Sequence, residues 1–381
     1  MLRQQSFAVL LFAIFTSISS LANESVTLED GSTLTLKGIG VAQEYRTDIY
    51  IGALYAPTGY DSINLIRDAS TPKRVAVRYI ANNYSYRKVS RHWKERIAMN
   101  AEREVWGPHT RAIVEFARLF KQNIVTGDEI VIDYMPSVGT KVYLNGVFFH
   151  TIDDPMFIDL LINSWTGTVP PTKAFKEGIL GNISDAAKQD ILAQFSGLTP
   201  IQGRFKKEEE KTEVAEPAKP EPKKEPPKQV AQKPKPKPQE KKVVEKKPEP
   251  KKQVQEKPKQ VAEVVKKPKP KPVVEPEPVE DFIDEDLIRG SYVRELIGKV
   301  RNFQTYPRKA LLNREQGDGV VSVTIDRAGE VLDVSLVERT GSRELDKGII
   351  KMIRKAAPFP GIPTELTENE FQFEVPVSFT L

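Results

Sequence analysis

The sequence predicts an α+β protein of two folded domains joined by a segment that cannot fold. Three observations predict it. Residues 205–284 carry 16 of the chain's 29 prolines and almost no aromatic side chains. Such a run has too few backbone donors and too little apolar surface to offset the entropy of ordering. Ahead of it, residues 23–204 alternate strand-like and helix-like patterns. Behind it, residues 285–381 repeat that mixture on a smaller scale.

Charge is distributed in the same three parts. Between residues 206 and 280 there are 22 Lys against 15 Glu, whereas the whole chain is only +5. The high isoelectric point therefore belongs to the connector and says little about the folded parts, which are near neutral; no nucleic acid is expected as a partner. A Pro-rich stretch of this kind is expected to be an extended strut that holds the two globules apart, reaching roughly 230 Å at about 3.1 Å per residue. With no Cys in the chain, disulfides and thiolate metal sites are excluded.

The first 22 residues read as a secretory signal. Arg3 is followed by an apolar core over 7–15, and Ser20 and Ala22 supply the small residues of a cleavage site. The alternative is an uncleaved inner-membrane anchor, for which about 20 mainly apolar residues are needed; the core here offers about nine.

In the first domain, SVTLEDGSTLTLKGIGVA reads as strands turning at Gly31, followed by strands in RTDIYIGALYAP and VAVRYIA. Two helices are expected next, over 85–104 and over 108–124. In the second, Ile113, Phe116, Ala117 and Phe120 form one apolar stripe. EIVIDYMPSVGTKVYLNGVFFHTI reads as a three-strand meander, with Asn145-Gly146 a two-residue hairpin signal. A helix in PMFIDLLINSWTG and a further helical piece over 174–195 close the domain.

The second domain begins with a helix carrying Ile288, Val293, Leu296, Ile297 and Val300, stopped at Tyr306-Pro307. A short helix in RKALLNREQ and a hairpin around Asp326–Gly329 follow. Ser342 is placed to cap a helix over 343–357. The chain ends in an alternating strand, 371–381, whose Pro376 indicates an edge position.

The ordered motifs of this second domain resemble those of the TonB C-terminal domain family. Tyr306-Pro307 with Ala310, the Gly319–Val323 run with Asp326 and Gly329, Gly341, Leu345-Asp346 and Ala357-Pro358-Phe359-Pro360 carry the resemblance. It implies a three-stranded antiparallel sheet and a strut that crosses the periplasm. It implies as partner an outer-membrane TonB-dependent receptor, one of whose segments adds as a strand beside the last strand. Carried to this chain, the binding surface is Arg301, Asn302, Phe303, Gln304 and Thr305, with Phe371, Phe373, Val375 and Val377 of the final strand. Tyr306 and Phe359 are expected to pack in the core. The family's transducers also keep a membrane helix with an intramembrane His that docks on the ExbB–ExbD motor. No His precedes His92 here, which sets this chain apart, and the motor is kept only as a second candidate partner.

GIGVAQEYRTDIYIGALYAP, RHWKERI, GDEIVIDYMPSVGTKVYLNG and FIDLLINSWTGTVPP make the first domain resemble the bacterial chalcone isomerase-like family. That implies an open-faced sheet with helices and an apolar cleft taking a fatty acid or a flavonoid. Isomerase activity in the family rests on an Arg and, on the following strand, a Thr. Ala42 and Tyr50 stand at those positions, and Arg46 is four residues out of register. The resemblance therefore implies no enzyme.

His92, His109 and His150 have no metal-ligand spacing, and no cofactor motif is present. The resulting expectation is a periplasmic TonB-like protein serving outer-membrane transport of siderophore-like substrates. In it the first domain is a ligand-binding or docking module. The alternatives are a periplasmic fatty-acid or lipid carrier and a chalcone isomerase-type intramolecular lyase.

Overall fold

A computed structural model describes residues 24–44, 46–206 and 284–381. The leader and nearly all of the Pro-rich connector lie outside the described residues.

The first domain is a seven-stranded antiparallel meander whose strand order is the chain order. Its strands are β1 (Ser25–Thr27), β2 (Thr33–Glu44), β3 (Thr47–Ala56), β4 (Lys73–Tyr79), β5 (Glu129–Met135), β6 (Gly139–Leu144) and β7 (Val147–Ile152). Helix α1 (Ile63–Arg67) follows β3. Helices α2 (Tyr86–Asn100), α3 (Arg103–Trp106) and α4 (Thr110–Arg118) lie between β4 and β5, and α5 (Pro155–Thr166), α6 (Lys173–Ile179) and α7 (Asp185–Gly197) follow β7.

Both faces of this sheet are covered, which explains why β3 is buried almost along its whole length. On one face Tyr50, Leu54, Val75, Val77, Tyr79, Ile130 and Ile132 pack with residues of α2, α4 and α5. On the other, Ile51, Ala53, Tyr55, Ala76 and Met135 meet Leu192 and Phe195 of α7. A bulge between Leu36 and Gly38 switches which β2 residues face which side. It turns Gly38 and Gly40 toward α6. A Cβ at Gly38 would stand 1.9 Å from the Ile179 carbonyl oxygen, and one at Gly178 would stand 2.3 Å from that of Ile39. Only paired glycines permit this approach of helix to strand.

The meander and its Asn145-Gly146 turn are as expected, with both turn residues at positive φ (46° and 79°). The helices differ from expectation in their breaks. The 85–104 helix stops at Ala101, which is extended, and resumes as α3. The 108–124 helix is shorter, because Ile124 leaves it to pair with Tyr84 in a β-bridge. The 174–195 piece is split at Gly181, whose φ of +75° ends α6.

The second domain contains α8 (Glu285–Arg301), α9 (Arg308–Leu312), β8 (Gly317–Asp326), β9 (Val331–Glu338), α10 (Arg343–Ala356) and β10 (Glu370–Phe379). Its antiparallel sheet runs β10-β8-β9. Asp284 caps α8 by accepting from the Asp286 and Leu287 amides, and Ser342 caps α10 through the Leu345 amide. Tyr306 and Phe359 pack as expected, at 5.3 Å from Phe379 and 5.5 Å from Phe373 between ring centroids.

The two globules are not held apart. Residues 24–206 and 284–381 form one compact body in which α8 lies along α2. Lys94 Nζ donates to Asp284 at 2.9 Å and pairs with Asp286 at 2.6 Å. Burial alone would lower the Lys94 ammonium, but the two carboxylates outweigh it and raise it. Arg289 pairs with Glu368 and reaches Glu95 at 3.6 Å, Arg91 meets Asp286 at 3.2 Å, and Arg294 grips Glu102. Trp106 Nε1 donates to Ser291 Oγ at 3.2 Å. Gly290 makes the helix contact close: a Cβ there would stand 2.5 Å from the Glu95 carbonyl oxygen. Leu287 enters the first domain's core, and Met99 and Val169 enter the second's.

Candidate functional site

Two places carry chemistry. The first is the outer side of β10, which pairs with β8 along its whole length and with no other strand among the described residues. Phe371, Phe373, Val375 and Val377 are 2%, 3%, 1% and 4% exposed. Their side chains are therefore core, and they could meet a visitor only through their strand's backbone. The interleaved Gln372, Glu374, Pro376 and Ser378 lie on the opposite face. The Ser378 carbonyl accepts from Gln304 Nε2 at 2.9 Å, outside the ladder. Pro376, two residues earlier, has no N–H to give. Groups two residues apart point the same way, so these two mark the outward side of β10. The stretch from Glu370 to Glu374 keeps that side unclaimed by any other strand.

Of the turn residues expected to act with β10, the structure joins only Gln304 to it directly. Arg301 points to the first domain, donating to the Thr168 carbonyl at 2.7 Å, with burial lowering its guanidinium. Asn302 ends α8, Thr305 Oγ1 donates to the Phe303 carbonyl at 3.4 Å, and Phe303 is 40% exposed.

The second place is a polar cluster in the first domain. Ala42 and Tyr50 are register partners on β2 and β3. Both are buried, and Ala42 supplies no cation. Arg46 is on the outside, with φ +65°, paired to Glu338 of β9 at 3.0 Å. Around Tyr50 the structure gathers residues that sequence spacing did not connect. Tyr50 Oη lies 3.4 Å from His92 Nε2, and His92 Nδ1 lies 3.2 Å from Glu44 Oε1. Tyr84 Oη donates to the same Glu44 oxygen at 2.7 Å. Arg96, whose charge acts on this cluster, donates to the Val169 and Pro170 carbonyls. Glu374 of β10 feels the same guanidinium, although burial raises its carboxyl.

The cluster is built to stay put rather than to exchange protons at neutral pH. Burial pushes the Tyr50 and Tyr79 phenols up, so both remain protonated. Burial also lowers His92, which is then neutral, and its Nδ1–H donates to Glu44. Burial opposes the Glu44 carboxylate, but the hydrogen bonds from His92 and Tyr84, with the Arg96 charge, hold it below the usual carboxylate range. Trp93 and Trp165 flank the Tyr50 ring at 6.1 and 6.3 Å. Their indole N–H groups are buried and make no hydrogen bond of good geometry; the acceptors nearest to hand are the hydroxyls of Tyr50, beside Trp165, and Tyr79, beside Trp93.

A pH dependence follows. His92 and Glu44 both bind protons less readily folded than unfolded, so stability falls as pH drops below about 6.5 and again below about 4.5. Glu95 at the α2–α8 contact does the reverse. Burial, aided by Asp286, raises it to about 7, so its contribution to stability declines as pH rises from about 4.5 to 7. The melting temperature measured from pH 7 to 4 should therefore change more steeply in Glu95→Gln. It should flatten in His92→Gln.

Comparison with known proteins divides the chain in the same two places. The model of the chalcone isomerase-like family matches residues 19–181, and that of the Gram-negative bacterial TonB protein C-terminal matches residues 303–381. The fatty-acid binding protein AtFAP1 of Arabidopsis thaliana is similar at 14% identity, covering 42% of this chain and 97% of that one, with a TM-score of 0.34. The TonB C-terminal domain of Helicobacter pylori is similar at 22% identity, covering 24% and 82%, with a TM-score of 0.22. The HasB C-terminal domain is similar at 31% identity, covering 24% and 76%, with a TM-score of 0.19. No curated protein matches the chain.

Proposed function

For a chain that carries a chalcone isomerase-like domain at 19–181 and a TonB C-terminal domain at 303–381, we propose a role in outer-membrane transport. The second domain binds a transporter by taking one of its segments as a strand beside β10. The observation that carries this reading is the outer side of β10, which no strand occupies among the described residues. Backbone hydrogen bonds would give affinity, and the alternate side chains Gln372 and Glu374 would set preference. Gln304, already on the Ser378 carbonyl, would meet the end of the visiting strand. The site of action is the periplasm, reached through the N-terminal leader. No helix among the described residues is long and apolar enough to cross a membrane.

The chain has no Cys, so single thiols can map the contact. Gln372→Cys and Glu374→Cys should cross-link to Cys-bearing receptor segments, while Leu332→Cys on β9, 52% exposed at the other sheet edge, should not. Cross-links from β9 alone, or none from β10 under conditions that induce transporters, would refute the reading.

A second reading rests on the first domain. Its chalcone isomerase-like match and its aromatic interior of Tyr50, Trp93, Trp165 and Phe175 suit an apolar ligand such as a fatty acid. Uptake of a fluorescent fatty acid that falls in Trp165→Phe, with β10 cross-links unchanged, would support it. With Ala42 where isomerase chemistry needs a cation, the domain is read as a binding and docking module.

A further inference from the structure

The outer face of α10 has no part in either reading. Its inner residues Leu345, Ile349, Met352, Ile353 and Ala356 are buried on the sheet. Outside, Lys347, Lys351, Arg354 and Lys355 recur at helical spacing around half-buried Ile350 and line a shallow depression of about 350 Å³. Lys347 has an intrahelical partner in Glu344 at 3.1 Å. Among the described residues, no carboxylate pairs with Lys351, Arg354 or Lys355.

This concentration runs against the charge of its own domain. Residues 284–381 contain 14 Lys and Arg against 16 Asp and Glu. A domain that is acidic overall thus sets three cations without a carboxylate partner side by side on one helix about 20 Å long. The resulting field has a direction, and it would turn α10 toward an anionic surface.

We propose that this face of α10 lies on an anionic phospholipid membrane. Charge complementarity selects the occupant, and the chemistry of the face favours lipid over protein. Protein interfaces depend on buried aromatic or Arg anchors in packed pockets. Here there is one apolar residue, half-buried, among long exposed cationic side chains. A headgroup layer requires no shape complementarity, only cations near its surface and aliphatic stems that tolerate the interface.

The test is co-sedimentation of the full mature chain with vesicles of phosphatidylglycerol and phosphatidylcholine, against phosphatidylcholine alone. One variant carries Lys351→Glu, Arg354→Glu and Lys355→Glu together. A second carries Lys241→Glu, Lys242→Glu and Lys246→Glu in the connector, with the same change in net charge. The α10 variant should lose binding to the anionic vesicles roughly a hundredfold, at about 1 kcal/mol for each of three cations. The connector variant should lose less than about tenfold, because the roughly 1 kcal/mol per cation applies only to cations held near the surface and the proposal puts α10 there. The replaced α10 side chains are exposed and unpaired, so an unchanged melting temperature serves as the folding control. Equal losses in the two variants, or no anionic binding by the unmodified chain, would overturn the proposal. So would an α10 variant that keeps vesicle binding but loses the β10 cross-links, which assigns the face to a protein partner.

Discussion

Lys94→Met should loosen the second domain from the first. Lys94 is 11% exposed in its side chain and holds two carboxylates, Asp284 and Asp286, at one end of the α2–α8 contact. Removing the cation leaves two acids facing each other in a poorly solvated place, a loss of about 3 kcal/mol when one partner of a buried pair is deleted. Met keeps most of the aliphatic packing, so the loss reports on charge. Calorimetry should show one cooperative transition resolve into two, and small-angle scattering should show a larger radius. Asp284 also caps α8, so Lys94 is the cleaner choice: it leaves the cap in place. A variant with the parent's single transition and dimensions would show that the contact contributes little.

Gly38→Ala should be at least as damaging, and within the first domain alone. The added methyl group would stand 1.9 Å from the Ile179 carbonyl oxygen, which belongs to backbone and cannot swing aside. Helix α6 must lift off β2, and Phe175 moves with it. Phe175 is fully buried, 5.9 Å from Tyr50 and 5.2 Å from Trp165 between ring centroids. Overpacking commonly costs about 1–3 kcal/mol, and loss of a buried aromatic contact adds to it. We expect a total of roughly 4 kcal/mol, measured by urea denaturation. Near-ultraviolet dichroism should change at Trp165, and the single transition should shift to lower urea without splitting.

Much of this architecture was legible because its signals are local. Asn145-Gly146 supplies the positive φ angles its hairpin needs, Ser342 caps its own helix, and β10 alternates with period two. The interior of the candidate site was less so. The connection from Glu44 to His92 to Tyr50 spans residues with no regular spacing, and two strands and a helix bring them together. Alternation also identified Phe371, Phe373, Val375 and Val377 without telling which face of the sheet the helices would cover; they turned out to be core.

The docking of α8 on α2 was missed, yet a trace of it was present. Leu287, Ile288, Tyr292, Val293, Leu296, Ile297 and Val300 are all buried, too broad a band for a helix with one covered side. A spacer that held the globules apart would leave part of that band uncovered. The ion pairs that fix the contact join residues about 190 apart in the chain, beyond any local pattern.

The α2–α8 contact has a consequence for how the molecule would respond to a protease. A single covalent path of 77 residues, 207–283, joins its two sides, so they meet at a local concentration that does not change with the amount of protein. One cleavage anywhere along that path would turn the encounter into a bimolecular one. The two fragments should then co-elute from a sizing column when concentrated and part when diluted. The dilution at which they part measures, in an otherwise unaltered protein, how firmly the first domain holds the second.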